Sequence, residues 1–95
     1  MSGNAAYEGD GIFGNNASTI QGNVTDNNGG DGVRTGVGAL VRDNTVSFND
    51  AFGLNLSATA AYGANVVTFN GAGTVSGGAK VLLNQCNGLN APACP

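Results

Sequence analysis

The apolar residues of this chain come in pairs spaced two apart, and the pairs recur on a fixed beat. One set reads Ile12/Gly14, Val33/Thr35, Leu54/Leu56 and Val75/Gly77. A second reads Ser18/Ile20, Ala39/Val41, Ala60/Tyr62 and Val81/Leu83, and a third holds Thr25, Val46 and Val67. Residues two apart in an extended chain share one face, and this face gathers the Ile, Val and Leu of every repeat, so it points inward. Within each set the step is 21 residues. No useful window carries the period of a helix. Turn signals separate the short strands: Asn27-Asn28-Gly29-Gly30, Asn49-Asp50, Asn70-Gly71 and Gly77-Gly78. An antiparallel sandwich has no need of the same residue types at the same offset in each repeat. A coil does, because each strand pairs with its equivalent one turn away. The pattern predicts an all-β chain, wound as a right-handed parallel β-helix of about four to five rungs. Residues 1–85 would form the rungs and 86–95 a C-terminal cap.

Polar residues keep the same beat. Asn23, Asn44 and Asn65 form one column, and Asn28, Asn49 and Asn70 another, bracketing the third strand of each rung. Asn tolerates the left-handed backbone of a tight corner, and its side chain bonds to nearby main-chain groups. Stacked about 4.8 Å apart, the amides can also bond along the coil axis. Both columns are therefore expected to be corner posts. Gly11, Gly32 and Gly53 form a further column, each followed by an aliphatic residue, Ile12, Val33 or Leu54.

The two ends differ. Residues 3–11 resemble 22–32 with two residues missing, so Asn4 is expected to begin an incomplete first rung, as if cut from a longer chain at a coil boundary. Such a rung exposes unpaired backbone and invites a second copy or the missing rungs of a longer chain. At the other end Cys86 and Cys94 flank a turn-rich loop. A disulfide there would contribute about 2–3 kcal/mol and imply an oxidising compartment, with two free thiols as the alternative. With no His and only two Cys, a metal site at this pair is disfavoured.

Composition narrows the function more than it defines it. Gly and Asn make up about a third of the 95 residues, which without a period would read as disorder. The net charge is -3 and the three cations, Arg34, Arg42 and Lys80, form no cluster. Nucleic acid and anionic membrane surfaces both require a positive footprint, so neither is an expected partner. No apolar run approaches the length that crosses a bilayer. Gly30-x-Gly32 and Gly36-x-Gly38 do not open a helix, so no nucleotide cradle is supported, and no cofactor is expected.

The pattern Gly-Asn-Val-Thr-Asp-Asn-Asn-Gly-Gly-Asp-Gly-Val, residues 22–33, resembles the repeats of right-handed parallel β-helix proteins of the pectate-lyase-like superfamily. The stretches 73–79 and 84–88, with Cys94-Pro95, look like the last rung and tail of bacterial members. The resemblance implies the fold and a secreted or cell-surface location, but not an activity, because this fold carries many functions. Lyases of the group are similar in using an Arg or Lys base beside calcium-binding carboxylates. Here Arg34, Arg42 and Lys80 share no column, a departure from that pattern.

Two further pairs stand out. Asp10 and Asp31 occupy equivalent Gly-Asp-Gly turns, where they are either plain turn residues, a shared calcium site, or a carboxylate pair acting on a glycoside. Phe48 and Phe69 share a column that would plug a turn or form a platform for a sugar. Asn16, Asn23 and Asn55 head formal glycosylation sequons, and the third strand's outward Val24, Thr45 and Val66 only partly match an ice-binding Thr array. The sequence therefore points first to a non-catalytic structural or adhesion module that self-associates through its open first rung. The alternative is a β-helix that binds or cleaves carbohydrate.

Overall fold

The computed structural model describes residues 9–82 and 84–87 of the chain. Twelve short strands follow one another: β1 (Ile12–Gly14), β2 (Thr19–Gln21), β3 (Val24–Asp26), β4 (Val33–Thr35), β5 (Leu40–Arg42), β6 (Thr45–Ser47), β7 (Phe52–Asn55), β8 (Ala61–Gly63), β9 (Val66–Thr68), β10 (Gly73–Ser76), β11 (Ala79–Lys80) and β12 (Gln85–Asn87). They assemble into three parallel sheets, ordered β1-β4-β7-β10, β2-β5-β8-β11 and β3-β6-β9-β12. Each turn of the coil contributes one strand to each sheet. The chain is a parallel β-solenoid of about four turns, and among the described residues there is no helix.

The register follows the 21-residue beat. Ile12 pairs with Val33, Val33 with Leu54 and Leu54 with Val75. Ile20, Val41 and Tyr62 align in the second sheet, and Thr25, Val46 and Val67 in the third. Ile20, Val33, Val41, Val46, Leu54, Tyr62 and Val67 are buried with Ala39, Leu56 and Ala60 as one core, against which Ile12, Val75 and Cys86 pack. Thr25 is fully buried in the same core although its hydroxyl has no partner.

Strands of three residues require sharp corners, and the corners lie where the backbone turns left-handed. Gly22, Asp43 and Ala64 hold φ of 70°, 57° and 56° between the second and third sheets. Asn27, Phe48 and Phe69 hold 57°, 56° and 55° on the way back to the first. Each residue in these two columns immediately precedes a column asparagine. The six column asparagines therefore do not supply the left-handed conformation themselves, which corrects the expectation that they would.

The beat breaks in the last turn. Lys80 stands opposite Tyr62, 18 residues on, and Gln85 opposite Val66, 19 residues on. The sequence pattern had put Val81 and Leu83 in the second column; instead Ala79–Lys80 pairs there, Val81 is 57% exposed, and Leu83 lies outside the described residues. The cause is the Gly77-Gly78 turn. Both residues take positive φ, 77° and 80°, a two-residue reversal that does the work of the four or five residues used by earlier rungs. Strand pairing continues to Asn87, so the expected boundary at residue 85 falls within β12.

Candidate functional site

The best-defined polar constellation is internal. Asn23 donates through its main-chain N and through Nδ2 to Asn44 Oδ1, at 2.9 and 3.2 Å. Asn44 repeats both bonds to Asn65 Oδ1, each at 3.0 Å. The second column runs alike, from Asn28 to Asn49 Oδ1 (3.2 and 2.6 Å) and from Asn49 to Asn70 Oδ1 (3.0 and 2.8 Å). Further amide hydrogens of Asn23, Asn44, Asn49, Asn65 and Asn70 reach carbonyls, such as Ile20 O from Asn44 and Val41 O from Asn65. All six residues are buried, a location that is tolerable only because their polar atoms are bonded. These are asparagine ladders, and they join turn to turn at two corners.

The first ladder has a member that the 21-residue count missed. Asn65 donates to Asn84 Oδ1 from its main-chain N at 2.9 Å and from Nδ2 at 3.2 Å. Asn84 sits 19 residues on, displaced by the shortened turn. The signal was present: Asn84-Gln85-Cys86 reads like Asn65-Val66-Val67, two residues early.

Asp10 and Asp31 lie one above the other, as expected, yet each serves the rung that follows. Asp10 Oδ1 accepts from Asp31 N at 2.8 Å, and Asp31 Oδ1 accepts from Phe52 N at 2.9 Å. The second oxygens are engaged as well, Asp10 Oδ2 by Arg34 Nε at 2.7 Å and Asp31 Oδ2 by Asn55 Nδ2 at 3.0 Å. All four oxygens therefore hold turns together. Arg34 also lies 4.7 Å over the Phe13 ring, so one guanidinium is fixed by a carboxylate and an aromatic face. Arg42 pairs with Asp43 beside it, away from Arg34 in a different sheet. Among the described residues no group of three His, Cys, Asp or Glu converges as a metal site would.

Phe48 and Phe69 form the exposed feature. Their rings stack 5.4 Å apart and 11° from parallel, and the residues are 56% and 42% exposed. A bulky side chain in the left-handed region is strained by about 1–3 kcal/mol, only partly offset by the ring pair's roughly 0.5–1.5 kcal/mol. They border a shallow cleft of about 370 Å³ with Asn27, Asn49, Asp50 and Gly71. The rings do not plug the turn; they project from the corner.

Cys86 is disulfide-bonded and packs against the core from β12. Cys94 and Asn4 lie outside the described residues. Fold and ladders together define the class: a parallel β-solenoid protein with two internal asparagine ladders. Compared with protein families, curated proteins and solved structures, the chain has no match.

Proposed function

We propose that this chain is a non-catalytic structural or adhesion-type β-helix module that self-associates through its N-terminal rung, its partner being a second copy or the preceding rungs of a longer chain. The observation that carries this reading is the use of its polar groups. The ladder amides and both Asp10 and Asp31 bond rung to rung along the coil axis, so the polar side chains act as mortar between turns. A coil joined in this way extends by adding a turn at an end. Membership of the pectate-lyase-like superfamily, a bacterial source and a secreted or cell-surface location belong to the same proposal, the last supported by the disulfide at Cys86. Pairing of Cys86 with Cys94 is part of it too. Sedimentation velocity across micromolar concentrations tests the assembly: mass rising with concentration supports it, and a strict monomer refutes it.

A second reading is favoured by one feature. The exposed Phe48/Phe69 stack, rimmed by Asn27 and Asp50, suits the apolar face of a sugar ring, with the polar rim meeting its hydroxyls. A glycan screen with Phe48→Asn as control tests it; retention by the parent chain and loss in the variant support binding, and equal retention sinks it. Cleavage by Asp10 and Asp31 has less support, since their oxygens already bond turn amides, Asn55 and Arg34.

A further inference from the structure

We propose that Asn70–Gly71 is a self-modification site: conversion of the Asn70 amide to an acid is held off while its rung is closed, and cuts the second ladder once that rung opens. The chemistry needs only water. The main-chain nitrogen of the residue after an Asn loses its proton and attacks the Asn Cγ. The Cγ–Nδ2 bond breaks, ammonia leaves, and a five-membered imide remains. Water opens the imide at either carbonyl to give aspartate or isoaspartate, so the net change is amide plus water to acid plus ammonia. Nothing is oxidised or reduced. A following glycine leaves the nitrogen least hindered.

Two demands of this fold put those residues side by side. The ladder requires Asn at position 70, whose Oδ1 accepts from Asn49 N at 3.0 Å and from Asn49 Nδ2 at 2.8 Å. The close approach of the neighbouring rung requires Gly at 71, where an added β-carbon would strike the Asp50 carbonyl. The architecture thus creates the dipeptide most prone to this reaction. Of the equivalent pairs on the earlier rungs, Asn49-Asp50 carries a hindering side chain, whereas Asn28-Gly29 is the same dipeptide and converts by the same chemistry, so each site is read by its own peptide.

The closed rung also blocks the reaction. Gly71 N, the nucleophile, donates to Asn49 O at 2.8 Å. Asn70 Nδ2, the leaving group, donates to Val46 O at 3.3 Å and Thr68 O at 3.1 Å, and the residue is 2% exposed. Turning Cγ toward Gly71 N breaks these bonds together, so attack proceeds from an opened rung. The product then resists reclosing. One carboxylate oxygen can still accept from Asn49, but the other faces the Val46 and Thr68 carbonyls, acceptor against acceptor. Isoaspartate adds a main-chain carbon and shifts Gly71 out of register.

The test incubates the full chain at mildly alkaline pH in heavy-oxygen water, with a parallel sample in urea, and maps both by peptide mass spectrometry. In urea Asn70 should convert with uptake of heavy oxygen and a mixture of aspartyl and isoaspartyl products. In the folded chain the rate should be at least about tenfold lower and should track hydrogen exchange at Gly71, because reaction follows the open fraction. Asn70→Asp should lower the urea midpoint, whereas Asn15→Asp on the exposed surface should not. Should Asn70→Asp not fold, the fraction separated by ion exchange and shown by peptide mapping to be converted at Asn70 alone supplies the same comparison. Equal rates in folded and urea samples, conversion without heavy oxygen, or a converted chain with the parent's midpoint overturns the proposal.

Discussion

Asn44 is the best place to test whether the ladders hold the coil together, because two substitutions there separate shape from charge. Asn44→Ala removes the Oδ1 that accepts from Asn23 N at 2.9 Å and from Asn23 Nδ2 at 3.2 Å. It also removes the donor to Ile20 O at 3.0 Å, while Asn65 Oδ1 keeps the Asn44 main-chain N–H. At about 1–3 kcal/mol for each buried group left wanting, the loss should be about 3 kcal/mol. Asn44→Asp keeps the acceptor for Asn23 but aims a second carboxylate oxygen at Ile20 O and Asn65 Oδ1, where Nδ2 had donated to both at 3.0 Å. An uncompensated buried charge costs about 3–5 kcal/mol, so near neutral pH the acid should be worse than the alanine. Either loss is a large share of the about 5–15 kcal/mol that holds a domain folded. Burial against acceptors raises the introduced carboxyl above its unfolded value of about 3.9. The protonated acid can donate to Ile20 O, so the deficit relative to the parent should be small below about pH 4 and grow as pH rises past the unfolded value. Urea denaturation followed by far-ultraviolet circular dichroism, each variant against the parent at the same pH, gives the numbers. If Asn44→Asp is no worse than Asn44→Ala at neutral pH, or its deficit does not vary with pH, the ladder argument fails.

Four further outcomes follow from the same geometry. Thr25→Val should raise stability by about 1 kcal/mol in urea denaturation, since it removes a fully buried hydroxyl with no partner and continues the Val46/Val67 column. Gly32→Ala should cost about 3 kcal/mol or more or prevent folding, read by the same assay, because its β-carbon would lie 2.7 Å from Asn49 Nδ2 and 2.8 Å from Gly53 O. Phe48→Asn should leave stability unchanged or raise it by about 1 kcal/mol, strain relief outweighing the lost ring stack, so lost sugar retention in that variant would report binding alone. Burial raises the Tyr62 phenol above its ordinary value of 10.0, so the folded state holds that proton more tightly. Stability from this source is complete below pH 10 and falls as pH rises beyond it, a slope that Tyr62→Phe should reduce in melting curves across that range.

The fold was legible because a coil repeats its requirements. Each rung must present inward aliphatics at one register, which fixed Ile12, Val33, Leu54 and Val75, and all four fall into one sheet. The ladders were legible for the same reason. What escaped was anything decided by backbone angles or by one rung alone. An asparagine in a corner column looks like a left-handed residue, whereas φ shows that the residue before it turns and the asparagine bonds. Nothing in the letters of Ala64, Phe48 or Phe69 announces that conformation. Val81 was misplaced and Asn84 missed because two glycines can turn tightly enough to remove three residues from a rung, and a fixed count cannot anticipate this. Arg34 reached Asp10 across rungs, 24 residues apart, a spacing that follows from the register but not from either strand alone.

The glycine and asparagine beats also turn out to be one device. A β-carbon added at Gly11 would lie 2.6 Å from Asn28 Nδ2; at Gly32, 2.7 Å from Asn49 Nδ2; at Gly53, 2.7 Å from Asn70 Nδ2. The ladder amide of each rung occupies the space where a side chain at the start of the same rung would sit. Glycine is therefore required there by crowding, since none of the three takes positive φ. The next position on that beat is Thr74, buried with its β-carbon in place. Among the described residues no ladder amide follows Asn70 to crowd it. A side chain returns where no described amide crowds it, so the rule that writes Gly into the first three rungs is the ladder itself, and Gly53 stands against Asn70, the last asparagine of that ladder among the described residues.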